Sequence, residues 1–189
     1  MALFRRLSKL ELLLAQCRQL YSNKETVLIL NDTAGLFFSV VQEQFMDSIL
    51  LGISNITDNV KTLGHSNLTI KALPRKIADE ALKAEVENLC EVAIEKSFFV
   101  STHRNKRIAH FDETFHLETG SKELESVTFK KIEDALDAIH SVLDLVSIRC
   151  FKTLLERQFI GLRGSADELV AQLRIKPTNH SKGPAKEGP

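Results

Sequence analysis

Leu3, Leu7, Leu10, Leu14, Cys17 and Tyr21 recur at steps of three and four, the period that lines side chains along one helix face. The pattern predicts a first helix ending before Ser22. Ser22-Asn23-Lys24-Glu25 then has the form of a capping box, in which a hydroxyl and a carboxylate satisfy the free amides of a helix start. A second helix is expected from about Asn23 to about Ile53, with Val27, Leu30, Ala34, Phe38, Val41, Phe45 and Ile49 inward. Gly35 costs it about 1 kcal/mol relative to alanine, which close packing of another helix would offset.

Between Ser54 and Pro74 polar residues thicken, and short helical turns joined by loops are expected. Pro74 suits a first helical turn. After it a long helix should bury Ala78, Leu82, Val86, Leu89 or Cys90, Ala93 or Ile94, and Ser97 or Phe98. Asp112 to Ser126 reads as a loop turning at Gly120-Ser121. From Thr128, a plausible cap, Phe129, Ile132, Leu136, Ile139, Leu143, Val146 and Cys150 form the cleanest seam in the chain. His140 beside it reads as a boundary residue.

Apolar character continues through Phe151, Leu154, Leu155 and Phe159 to Ile160, where Gly161 and Gly164 break it. Ser165 to Glu168 is a second capping box, opening a short helix with Leu169, Val170 and Leu173. The strand signal is weak, and no repeat at a fixed period appears. The expectation is an all-α antiparallel bundle with long core helices, one domain over 1–174, and a disordered tail over 175–189.

At 189 residues, one domain buries about two thirds of its unfolded surface. Lysine plus arginine and aspartate plus glutamate both number 25, so nucleic-acid binding would need a local patch. Cys17, Cys90 and Cys150 are distant and lie on apolar seams, as core thiols do; a reducing cytoplasmic setting is expected. The run Val27 to Val41, interrupted by Asn31-Asp32-Thr33 and Gly35, reads as too polar to span a bilayer. The Arg5-Arg6 start lacks the cleavage site of a signal peptide. No membrane association is expected.

Chemistry concentrates in Ser101 to Glu113, Ser-Thr-His-Arg-Asn-Lys-Arg-Ile-Ala-His-Phe-Asp-Glu. Arg104 is a permanent planar cation, Asn105 follows it, and His110, which titrates near neutrality, lies six residues on. Attack of a ribose 2′-hydroxyl on its own phosphodiester needs such a pair: a group to move the proton and one to hold developing charge. His103, Lys106 and Arg107 add cationic capacity beside them. His103, His110 and His116 lack the close pair spacing of a zinc helix. No metal and no cofactor is expected.

The Arg-polar-x4-His string in a small helical chain resembles the HEPN superfamily. Arg-Asn-Lys-Arg-Ile-Ala-His-Phe-Asp is similar to its abortive-infection, AbiU-type branch. Ile56-Thr57-Asp58 and Asn67-Leu68-Thr69-Ile70 look like the same branch, so the resemblance spans about Val27 to Cys150.

It implies a metal-independent endoribonuclease, a toxin or phage-defence effector acting on RNA as a homodimer, with a possible antitoxin or defence-system partner. Arg104 would bind the scissile phosphate, His110 would act as base or acid, and Asn105 would position one of them. Asp112 would orient the imidazole if the chain folds back, and Lys106, Arg107 and His103 would bind flanking RNA. Asp58 reads as a cap or, by the resemblance, as a residue facing the motif. In HEPN toxins silenced by a nucleotidyltransferase, a tyrosine follows the histidine by two; here that position is Asp112.

Residues six apart lie about 240° round an undistorted helix. Arg104 and His110 meet only if the helix ends between them or if two subunits pool their sets across a twofold axis, the favoured arrangement. The alternative function is a non-catalytic HEPN-like dimerisation or RNA-binding module.

Overall fold

The computed structural model describes residues 2–103, 127–154 and 163–175. Among them the fold is all-α apart from one small hairpin. The order is α1 (Ala2–Tyr21), α2 (Lys24–Thr57), β1 (Lys61–Thr62), β2 (His65–Ser66), 3₁₀ turns Ile70–Ala72 and Pro74–Lys76, α3 (Glu80–Lys96), α4 (Phe98–His103), α5 (Phe129–Phe151) and α6 (Ala166–Ile175).

Leu3, Leu7, Leu10, Leu14 and Cys17 are buried along α1, with Leu20 rather than Tyr21 closing the stripe. The cap of α2 is Asn23, not Ser22: its Oδ1 accepts from the Glu25 amide at 2.8 Å. Asparagine is as good an N-cap as serine, so a one-residue shift of the start costs nothing.

Helix α2 leaves helical geometry at Ala34, with φ −162° and ψ 65°. The chain turns sharply there. Tyr21 Oη donates to the Phe38 carbonyl at 2.8 Å, whereas a straight helix would carry Phe38 about 21 Å beyond Lys24. By length and composition Lys24–Thr57 is apolar enough to cross a membrane. The kink means that it is not one straight rod.

Gly35 is not a close-packing position, because a β-carbon there would meet only Asn31, at 3.7 Å or more. Gly52 is. A β-carbon at Gly52 would overlap Leu10 Cδ2, and this contact sets how closely α1 approaches α2.

The stretch after α2 is not a set of helical turns throughout. Lys61 pairs with Ser66 and Thr62 with His65 in an antiparallel hairpin. Leu63 (φ 48°) and Gly64 (φ 83°) form its turn, and positive φ at both central positions suits the twist of paired strands. Asn67 Nδ2 braces the hairpin by donating to Asn59 O and Thr62 Oγ1.

Pro74 opens a 3₁₀ turn rather than the long helix, which starts at Glu80 and leaves Ala78 exposed. The start is set by Asp79, whose Oδ1 accepts from the amides of Ala81 and Leu82 at 2.9 and 3.0 Å. Asp79→Ala should cost about 1 kcal/mol, measured as a lower urea midpoint with unchanged m-value. Leu82, Val86, Cys90 and Ala93 are buried on α3, as their spacing requires.

Thr128 caps α5, accepting from the Lys131 amide. Ile132, Ala135, Leu136, Ile139, Val142 and Leu143 then form the centre of the main core, against α1, α3 and the latter part of α2. The helix stops at Phe151, with Lys152 left-handed at φ 53°. Phe151 and Leu154 are exposed; the expected continuation through Leu155 to Ile160 lies outside the described residues.

Helix α6 packs over a second cluster of Leu20, Leu30, Phe38, Ala166 and Val170. Gln16 Oε1 accepts from the Ala166 amide, and Glu168 Oε2 from that of Gly164. Among the described residues Ile175 is the last in a helix, and the expected tail over 175–189 lies outside them beyond that point.

Cys150 is not a core thiol; it is exposed, whereas Cys17 and Cys90 are buried. Cys150 sits in the last turn of α5, one residue before Phe151, which is also exposed. Burial pushes the Cys17 and Cys90 thiols up to about 11, leaving about one part in 10³ as thiolate at pH 8. Ellman's reagent should therefore titrate one thiol rapidly in the folded protein and three after denaturation.

Candidate functional site

Helix α3 carries the chain toward the dense motif. It runs antiparallel to α5, since Glu85 near its start faces Arg149 near the end of α5 at 3.9 Å. Its last turn therefore lies beside the first half of α5. At Ser97 (φ −95°, ψ 1°) the helix breaks, and the Ser97 amide donates to the Ala93 and Ile94 carbonyls. The six-residue α4 follows and packs on α2 and α3.

Val100 is fully buried in α4 and Phe99 packs against the same core, while Phe98 is 72 % exposed. His103, the last residue of α4, is buried. Of the residues singled out for chemistry it alone is described. Burial suits it to anchoring the chain that follows more than to reaching a phosphate. Arg104, Asn105, Lys106, Arg107, His110 and Asp112 lie outside the described residues, as does the expected loop to Ser126. The description resumes at Val127, which packs partly buried against the core that holds Val100. Both flanks of the motif are thus tied to the bundle.

Asp58 closes α2 as its C-cap. Its Oδ1 accepts from the Asn59 amide at 2.8 Å, and its carbonyl accepts from Thr69 Oγ1 at 2.8 Å. Thr69 is itself buried and starts the 3₁₀ turn at Ile70. The Ile-Thr-Asp and Asn-Leu-Thr-Ile segments therefore meet at a polar junction under the hairpin.

One arrangement escaped the sequence reading. His140 is not a boundary residue: it is buried, with Nδ1 3.1 Å from Glu11 Oε1 and Nε2 3.3 Å from Asp144 Oδ2. The Phe4 ring meets it edge-on at 6.4 Å. Asp144 is legible as the i+4 neighbour on one helix face. Glu11 is not, because it comes from another helix 129 residues away. The contact ties α1 to α5 through the core.

A further tie joins Arg18 of α1 to Glu133 of α5. Among the described residues no group of three or more His, Cys, Asp or Glu side chains could hold a metal ion.

No curated protein and no solved structure matches the chain. The profile of one protein family does, AbiU2, a HEPN-type family, over residues 3–168. That span runs from the first turn of α1 into α6, taking in the helical core and the Arg104 to Asp112 motif. The chain is therefore a member of the AbiU2 family of HEPN-like abortive-infection proteins.

Proposed function

We propose that this protein is a metal-independent endoribonuclease that cleaves RNA by 2′-hydroxyl attack, and that it acts as a toxin or phage-defence effector in the cytoplasm. The observation that carries the reading is the Arg104-Asn105-x4-His110 string inside the span matched by the AbiU2 family. His110 moves the proton at the 2′-oxygen or the leaving 5′-oxygen. Arg104 holds the charge that builds on the phosphate in the pentacoordinate transition state.

Asn105 positions one of the two, and Asp112 orients the imidazole. Arg107 and Lys106 take the flanking phosphates, while His103 fixes the base of the segment. Two copies related by a twofold axis pool these sparse groups into one cleft. The chain over 1–174 acts as one domain, and an antitoxin or defence partner sets when it is active.

The test is cleavage of labelled single-stranded RNA in excess EDTA, with product ends analysed. Cuts that leave 2′,3′-cyclic phosphate and 5′-hydroxyl ends, with DNA resistant, are the expected result. The zero net charge supports a second reading, a non-catalytic dimerising or RNA-binding module. A folded dimer that leaves total cellular RNA intact would establish that reading instead.

A further inference from the structure

The overall neutrality of the chain conceals a strong asymmetry. Residues 59–78 contain Lys61, Lys71, Arg75 and Lys76, together with His65, and no acid. Residues 2–10 contain Arg5, Arg6 and Lys9, again with no acid. With these seven removed from the 25 cations of the chain, 18 remain against 25 acids.

The fold brings the two runs to one end of the bundle. Tyr21 meets Phe38 and Leu10 abuts Gly52, so the start of α1 lies beside the end of α2, from which the hairpin springs. Ala2, Leu3 and Phe4 line a groove of about 300 Å³ together with Leu68, Leu73 and Lys76. Arg6 and Lys9 border a neighbouring groove with Gly52 and Asn55 of α2. Lys61, His65, Arg75 and Lys76 are exposed, and Lys71 Nζ reaches Asn59 Oδ1 at 3.2 Å.

The nearby acids already have roles: Asp58 accepts from Asn59, Asp79 caps α3, and Asp144 meets His140. A second feature of the same groove is Phe151, which lines it at the end of α5 and is 69 % exposed. Cations that track a backbone beside an exposed aromatic ring are what single-stranded nucleic acid needs, because every base has a face to stack.

We propose that this basic end of the bundle binds the phosphate backbone of single-stranded RNA, with a base stacked on Phe151, at the end of α3 opposite α4. The choice of RNA rests on the nuclease reading; the basic surface itself does not. Helix α3, 17 residues long, separates the basic run from α4 and spans about 25 Å. A stacked strand covers that distance in roughly seven nucleotides at about 3.4 Å each.

The test uses the full chain carrying His110→Ala, to prevent cleavage, and a fluorescein-labelled 30-nucleotide oligouridylate read by anisotropy. The triple variant Lys61→Gln, Arg75→Gln, Lys76→Gln should bind at least tenfold more weakly in about 0.1 M salt. The slope of log K against log salt should be shallower by about two. Phe151→Ala should lose about tenfold with the slope unchanged.

The control triple Lys24→Gln, Arg163→Gln, Arg174→Gln removes the same charge elsewhere and should change binding less than threefold. Equal losses in the two triples would reduce the effect to bulk charge and overturn the proposal, as would no loss in either. Preference for polyglutamate over oligouridylate would also overturn it and assign the surface to an acidic protein. Binding that obeys these expectations in a chain whose wild type cuts no RNA would uphold this site while refuting the nuclease.

Discussion

Replacing His110 with alanine should lower the rate of RNA cleavage by about 10² to 10⁴, the usual contribution of a positioned proton-transfer group. Arg104→Ala should lose about 10² to 10³, the scale of removing one preorganised donor from a developing anion. Both losses should appear mainly in kcat, because the charge and the moving proton exist only in the transition state. RNA binding at the basic end should survive both substitutions. Arg104→Lys separates charge from geometry: the ammonium keeps the charge but lacks the planar fork, so only partial rescue is expected. Cleavage that persists in both alanine variants would exclude these residues as the catalytic pair.

Gly52→Val should destabilise the fold by about 3 kcal/mol, the upper part of the range for overpacking a well-filled contact. The added β-carbon overlaps Leu10 Cδ2, and Leu10 is itself buried between α1 and α2. Leu10 also lines the groove beside Gly52, so its side chain must turn toward that groove to admit the added atoms. Gly52→Ala is the informative companion, because it gains about 1 kcal/mol of helix propensity against a smaller intrusion. Denaturant melts should rank the proteins wild type, alanine, valine in falling midpoint. Gly35→Ala, where the nearest atom is 3.7 Å from the added carbon, should raise the midpoint or leave it unchanged. A valine variant as stable as wild type would mean that α1 and α2 separate readily, and that Gly52 does not set their spacing.

Much of the fold was legible because its signals are local. The leucine stripe of α1, the Thr128 cap and the three-and-four seam of α5 each depend on residues within one helix turn. The same holds for the motif, whose residue types and spacing carry the chemistry before any fold is known. Errors arose where the sequence offers two local solutions. Asn23 caps as well as Ser22 would, and Asp79 supplies a stronger helix start than Pro74 because its carboxylate takes two amides at once.

By itself the sequence determined the helical class, the order of the long helices, the candidate chemistry of Arg104 and His110, and the two acid-free basic runs. Tertiary structure alone decided the turn at Ala34, the close approach at Gly52, the burial of His140 between Glu11 and Asp144, and the exposure of Cys150. It also decided that residues 2–10 and 59–78 share one end of the bundle. A helical period says which face is apolar, but it does not say which partner covers that face or where the cover stops. Those outcomes depend on contacts between segments up to 150 residues apart, formed only when the whole core closes.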